Sequence, residues 1–120
     1  MPTICHFEIP FDEVGRAQKF YTELFGWKIE KDPNMDYWVI DTGDPGKGVC
    51  GGMMKRQVPE QQILNYIDVP SVEESLAKVE ELGGKTVMAK TPVPGMGWFG
   101  VCLDTENNAF GLWETDEKAK

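Results

Sequence analysis

Histidine is almost missing from this sequence: His6 is the single one in 120 residues. A catalytic zinc, nickel or iron site ordinarily needs three or more protein N, O or S ligands around an open position. One imidazole alone cannot fix that geometry, so a metal centre built from histidines alone is not expected. Basic residues are also scarce, with 12 Lys and Arg against 20 Asp and Glu and a formal net charge of −8. A phosphate backbone or an anionic lipid surface needs a positive field, so neither nucleic acid nor membrane is expected as a partner. A cationic or neutral small ligand suits the balance better than an anionic one. Cysteine occurs three times, as Cys5, Cys50 and Cys102, an odd set with no C-x-x-C spacing. Each lies in an apolar, strand-like run, where a free thiol is expected to act as a small buried hydrophobe rather than a disulfide or nucleophile. No apolar run approaches the length of a membrane span, and no basic start leads into an apolar leader core. A cytoplasmic location is the default expectation. Phosphate-cradle chemistry is absent as well. GDPGKGVCGG lacks the G-x-x-x-x-G-K-[ST] spacing and runs into a strand pattern, and neither G-x-S-x-G nor H-E-x-x-H occurs.

What is present is a repeated grammar. Hydrophobic residues make up 41% and aromatics 11%, a globular composition, and the length suits a single domain over 1–120. TICHFEI at 3–9 alternates: Cys5, Phe7 and Ile9 form an apolar face, while Ile4, His6 and Glu8 form a more polar one. Asp12 is the expected cap of a helix whose apolar stripe is Val14, Ala17, Phe20, Tyr21, Leu24 and Phe25, with Gly26 as its stop. Strands are expected at 27–31, 37–41 and 48–55, separated by DPNMD and by the turn formers of 42–48. The second half repeats the order. ILNYIDV at 63–69 reads as a strand, and Ser71 with Glu74 forms a capping box. A helix with Val72, Leu76, Val79 and Leu82 on one side follows, then strands at 85–89, 98–104 and 108–114. Val14, Tyr21, Leu24 and Gly26 match Val72, Val79, Leu82 and Gly84, and Ile40-Asp41-Thr42 matches Leu103-Asp104-Thr105. An internal repeat of half the chain follows. The expected fold is α+β: two tandem β-α-β-β-β modules, one about 1–57 and the other about 60–118, forming a curved mixed sheet with a concave cleft and helices on its convex side.

The run FEIPFDEVGRAQKFYTELFGWKI (7–29) resembles the opening signature of the vicinal oxygen chelate superfamily, which includes glyoxalase I, extradiol dioxygenases and bleomycin-binding proteins. YIDVPSVEESLAKVEELGGKTV (66–87) and GMGWFGVCLDTENNAFGLWE (95–114) are similar to its second half. The resemblance spans nearly the whole chain. It implies paired modules, often as homodimers, and in the metal-using members one ligand on the first and last strand of each module. His6 matches the first of these positions and is the only match. The others fall at Leu64 and, approximately, at Gly52 and Gly111, and the adjoining Met53, Met54, Leu112 and Trp113 would not supply a hard metal site. No cofactor is therefore expected, with a divalent metal at His6, Glu8 and Asp68 as the weaker alternative.

The candidate ligand-binding residues are His6, Glu8, Tyr66, Asp68, Trp98 and Trp113. His6 is read as a cleft-wall histidine or as a metal remnant. Glu8 and Asp68 are read as a cation-binding or acid–base pair, or as solvated strand residues. Trp98 lies in TPVPGMGWFG (91–100), which reads either as a mobile loop over a cleft mouth or as an ordinary strand connection. Trp38 and Trp113 read either as flat apolar walls or as core residues, while Trp27 reads as structural. The expected function is metal-independent binding of a small molecule, cationic or aromatic, by a homodimer. The alternatives are a metal-dependent glyoxalase-like lyase or dioxygenase-like enzyme, and a repurposed protein-interaction module.

Overall fold

The computed structural model describes residues 2–43 and 46–120. Met1, and the Asp44 and Pro45 of the turn expected at 42–48, lie outside the described residues. The chain divides into two compact units: His6–Leu64, and Asn65–Lys120 together with the residues up to Cys5. It is α+β, and the β-α-β-β-β order occurs twice.

The first unit contains β1 (Ile4–Phe11, from His6 onward), α1 (Val14–Phe25), β2 (Lys28–Lys31), β3 (Trp38–Asp41) and β4 (Gly51–Lys55). Its strands lie in the order β2-β3-β4-β1. β1 runs parallel to β4, with Glu8 opposite Gly52 and Ile9 opposite Met53, and the other pairs are antiparallel. Period-two alternation then sorts the side chains. Ile9, Phe11, Ile29, Ile40 and Met53 form the core, and Val14, Ala17 and Tyr21 of α1 pack on it beside Phe7, Trp27 and Trp38. Ile40 and Met53 are completely buried, each contributing roughly 1.5–3 kcal/mol of apolar transfer.

Three members of the expected apolar stripe of α1 are not in that core. Phe20, Leu24 and Phe25 are 59%, 58% and 57% exposed. The apolar arc of α1 is wider than a sheet carrying two four-residue strands can cover. Asp12 is not the cap either. Glu13 holds that position in an extended conformation and makes no side-chain cap bond, while the Asp12 carboxylate accepts from Arg56 Nε at 3.0 Å. Gly26 ends the helix in the left-handed region (φ 74°), its N–H donating to the Thr22 carbonyl at 2.8 Å.

The second unit contains β5 (Leu64–Asp68, from Asn65 onward), α2 (Val72–Glu81), β6 (Lys85–Val93), β7 (Gly97–Leu103) and β8 (Ala109–Thr115). The order β5-β8-β7-β6 repeats the first topology, and β5 lies parallel to β8 with Tyr66 opposite Gly111. Val72, Leu76, Cys102 and Leu112 form its core, with Val69, Val79, Trp98 and Phe110 packed around them. The N-terminus of α2 is well satisfied: Ser71 Oγ accepts from the Glu74 N–H at 3.1 Å, and Glu114 Oε1 accepts from the Val72 N–H at 2.9 Å. Residues 91–100, weighed as a mobile loop, form a hairpin instead. β6 runs to Val93, β7 starts at Gly97, and Val93 pairs with Gly97. Two prolines and three glycines here shape a tight turn rather than a long excursion.

The expectation that all three cysteines are buried holds for Cys102, is half met by Cys5 and fails for Cys50, which is exposed. Cys50 lies one residue before β4 begins, so it takes no part in the packed pattern of that strand.

Candidate functional site

The polar face of β1 carries the chemistry of the first unit. His6 and Glu8, two residues apart, project to the same side, opposite the face of Phe7 and Ile9. Tyr37, immediately before β3, brings its hydroxyl between them. The Tyr37 O–H donates to Glu8 Oε2 at 3.0 Å, and His6 Nε2 lies 2.6 Å from Tyr37 Oη. The imidazole and phenol planes are 19° apart. All three side chains are half-buried. Burial holds the His6 imidazole below its ordinary pKa, because a partly desolvated site disfavours the charged ring.

The phenol reaches Glu8 because β4 presents no side chain at Gly52, the residue paired with Glu8. A Cβ on Gly52 would fall inside the van der Waals shell of Tyr37 Oη, Cζ and Cε2. Tyr37 therefore fills the space that any side chain at position 52 would need. The second unit reaches the same end by another route. Tyr66, buried on β5, lies directly opposite Gly111, and its Cδ2 and Cε2 occupy the place of a Cβ there.

The six residues expected from the sequence divide between the units. His6 and Glu8 lie in the first, joined through Tyr37; Tyr66, Asp68, Trp98 and Trp113 lie in the second. Tyr66, Asp68 and Trp113 share one face with Phe99, since Asp68 pairs with Trp113 and Trp113 with Phe99. Trp113 Nε1 donates to Thr115 Oγ1 at 3.0 Å. Asp68 is exposed and accepts from the Thr3 N–H at 2.8 Å and Thr3 Oγ1 at 3.2 Å. The Thr3 bonds, led by that backbone N–H, hold its carboxyl below the usual range. Trp98 is on the opposite, helix-covered face. It packs against the core, donates Nε1–H to Asp116 Oδ2 at 3.0 Å and lies under the Lys90 ammonium at 4.4 Å.

The metal positions implied by the resemblance do not fit a metal. Gly52 and Gly111 bear no donor atoms and have no room for a larger residue beneath the tyrosine rings. Among the described residues, no three His, Cys, Asp or Glu side chains converge to hold an ion. An open hollow of about 620 Å3 lies elsewhere in the first unit, at Asp12, Arg56, Gln57, Val58 and Pro59. Its one cation, Arg56, is neutralised by Asp12.

Sequence reasoning missed Tyr37. Its trace was the Gly51–Gly52 pair inside a strand, which marks a place where another group comes close.

A family model described as bleomycin resistance protein-like N-terminal matches residues 3–43. A glyoxylase-like domain-containing protein from Didymella fabae is 31% identical over 119 residues, covering 91% of each chain. Solved structures share the fold at low identity. A glyoxalase/bleomycin resistance protein/dioxygenase superfamily member from Vibrio splendidus 12B01 superposes with a TM-score of 0.65 at 12% identity, covering 97% of this chain and 100% of its own. Methylmalonyl-CoA epimerase from Mycobacterium tuberculosis gives 0.64 at 12% identity, over 93% and 87%. The topology repeated in both halves, the matched N-terminal segment and the near full-length relative agree: the chain belongs to the glyoxalase/bleomycin resistance protein/dioxygenase, or vicinal oxygen chelate, superfamily.

Proposed function

We propose that the chain is a metal-independent small-molecule binding protein of the glyoxalase/bleomycin-resistance type. The observation that carries this reading is Tyr37, whose phenol occupies the space above Gly52 while engaging His6 and Glu8. The one histidine of the chain is thereby committed to a protein hydroxyl, where a metalloenzyme would commit it to an ion. The Tyr66 ring over Gly111 supports the same reading from the second unit. A half-buried, hydrogen-bonded polar cluster on an otherwise apolar strand is a binding surface that needs no ion to organise it.

Elemental analysis tests this reading on protein purified without chelators or a metal-binding tag. Well under one equivalent of transition metal per 13.5 kDa chain is expected. One tightly held ion per chain, lost in His6→Ala, would reverse the reading in favour of a metalloenzyme. Dimer formation is part of the proposal, and sedimentation at micromolar concentration should give twice the chain mass.

A further inference from the structure

The guanidinium of Arg56 makes fewer hydrogen bonds than it can, and it lines the open hollow of about 620 Å3 in the first unit. We propose that this hollow is a separate small-molecule site for an uncharged carbonyl compound, a carboxamide on an apolar body, with Arg56 donating to the carbonyl oxygen. The site lies apart from the cluster of His6, Tyr37 and Glu8 and goes beyond the function proposed above.

A guanidinium carries five N–H donors. Arg56 Nε–H is donated to Asp12 Oδ1 at 3.0 Å, and one Nη1–H to the Gln61 carbonyl. The second Nη1–H and both N–H groups of Nη2 meet no acceptor among the described residues. Nη2 is not shut in, because among the described residues that are not exposed no side-chain nitrogen or oxygen is both buried and unpartnered. The two bonds that Arg56 does make hold its planar fork in one orientation, so little freedom is left to lose on binding. The Gln61 carbonyl is fixed in turn. Gln61 N–H donates to the Val58 carbonyl at 3.1 Å, and Gln61 Oε1 accepts from the Gln57 N–H at 2.6 Å.

Charge selects the ligand. The ion pair with Asp12 leaves the guanidinium compensated. A carboxylate would compete with Asp12 and approach a chain of net charge −8. A cation would meet the guanidinium itself and bring donors where donors are already in surplus. An uncharged carbonyl oxygen accepts without either penalty. The rest of the lining suits an apolar body. Val58, half of it exposed, and Pro59 belong to the same hollow. Asp12 and Arg56 also line an adjoining hollow of about 350 Å3, which Ile9, Phe20 and Tyr21 complete. There the exposed ring of Phe20 has an apolar partner to offer. Both volumes lie in the range of roughly 300–1,000 Å3 common to small-molecule pockets. Ile9 projects from the face of β1 opposite His6 and Glu8, which sets the adjoining hollow on the α1 side of that strand.

The full chain, labelled with nitrogen-15, is titrated at neutral pH with benzamide, benzoate and benzamidinium, which differ in charge around one ring. Benzamide should shift the Arg56 Nε–H signal and the Gln57 and Val58 amides saturably, leaving the His6 and Glu8 amides unmoved. The two charged probes should bind about fivefold more weakly or worse. Arg56→Lys keeps a cation beside Asp12 but loses the planar fork, and should weaken benzamide about fivefold or more. Asp12→Asn, at a side chain 65% exposed, removes the competing charge and should raise benzoate to the level of benzamide. The inference is overturned by no benzamide shift up to its solubility limit, by an equal response to either charged probe, or by shifts centred on His6 and Glu8. Indifference to Arg56→Lys, or benzoate gaining nothing in Asp12→Asn, would overturn it as well.

Discussion

Adding one methyl group at position 52 should dismantle the polar cluster. In Gly52→Ala the new Cβ overlaps Tyr37 Oη, Cζ and Cε2. The phenol ring is rigid, so it must swing away as a whole. Two hydrogen bonds then go: Tyr37 to Glu8 at 3.0 Å and His6 to Tyr37 at 2.6 Å. The first, to an ionised acceptor, is worth about 1.5–3 kcal/mol and the second about 0.5–1.5 kcal/mol. Water reaches this half-buried site and restores part of that, and alanine in a strand regains about 0.5–1 kcal/mol over glycine. The expected net cost is about 1–3 kcal/mol. Urea denaturation at neutral pH measures it as a lower midpoint at unchanged slope. A double-mutant cycle locates the cause: in Tyr37→Ala the ring is gone, and adding Gly52→Ala should cost under about 0.5 kcal/mol. Gly15→Ala is the control. That glycine lies in α1 with nothing within 4 Å of its Cβ position, so the variant should be neutral or gain up to about 1 kcal/mol. A neutral Gly52→Ala, or an equal cost with and without the Tyr37 ring, would refute the reasoning.

The helix caps should respond unequally. Ser71→Ala removes the bond to the Glu74 N–H and should cost about 1 kcal/mol, while Glu13→Ala removes no cap bond and should stay within about 0.5 kcal/mol by thermal melting. The pH dependence of His6 has a definite sign. Burial holds the folded-state pKa below the ordinary 6.5, so below pH 6.5 the unfolded chain binds more protons. Stability should therefore fall as pH drops from 6.5 to the lower folded-state pKa and be unaffected by His6 above pH 6.5; His6→Gln should flatten that part of the curve. Thiol labelling should rank the cysteines. Exposed Cys50 should be alkylated by iodoacetamide in the native protein, whereas Cys102, buried and with its thiol pushed up to about 11, should react only on unfolding, as peptide mass mapping would record.

Much of the fold was legible because its signals are local. Alternation placed His6 and Glu8 on one face of β1 and Ile9 on the other, and the second helix began at its capping box. Other features depended on pairing that no local window contains. Tyr37 matters because the partner of Glu8 in β4 is a glycine, and only the register reveals it. Trp98 and Phe99 are equally aromatic neighbours, and the phase of β7 against β8 decides which one faces α2. Asp12 had the right chemistry for a cap and lost the position by one residue, with Arg56 claiming its carboxylate. The width of the α1 stripe was readable, but the small area beneath it was not.

The Thr3–Asp68 bonds have a consequence for how the protein is made. Thr3 and Asp68 are 65 positions apart, and the opening residues belong with Asn65–Lys120. During synthesis the first segment to leave the ribosome must wait for Asp68 to follow it before these bonds can form. A chain cut after Leu64 would therefore leave the late fragment without a piece of itself that had been translated first.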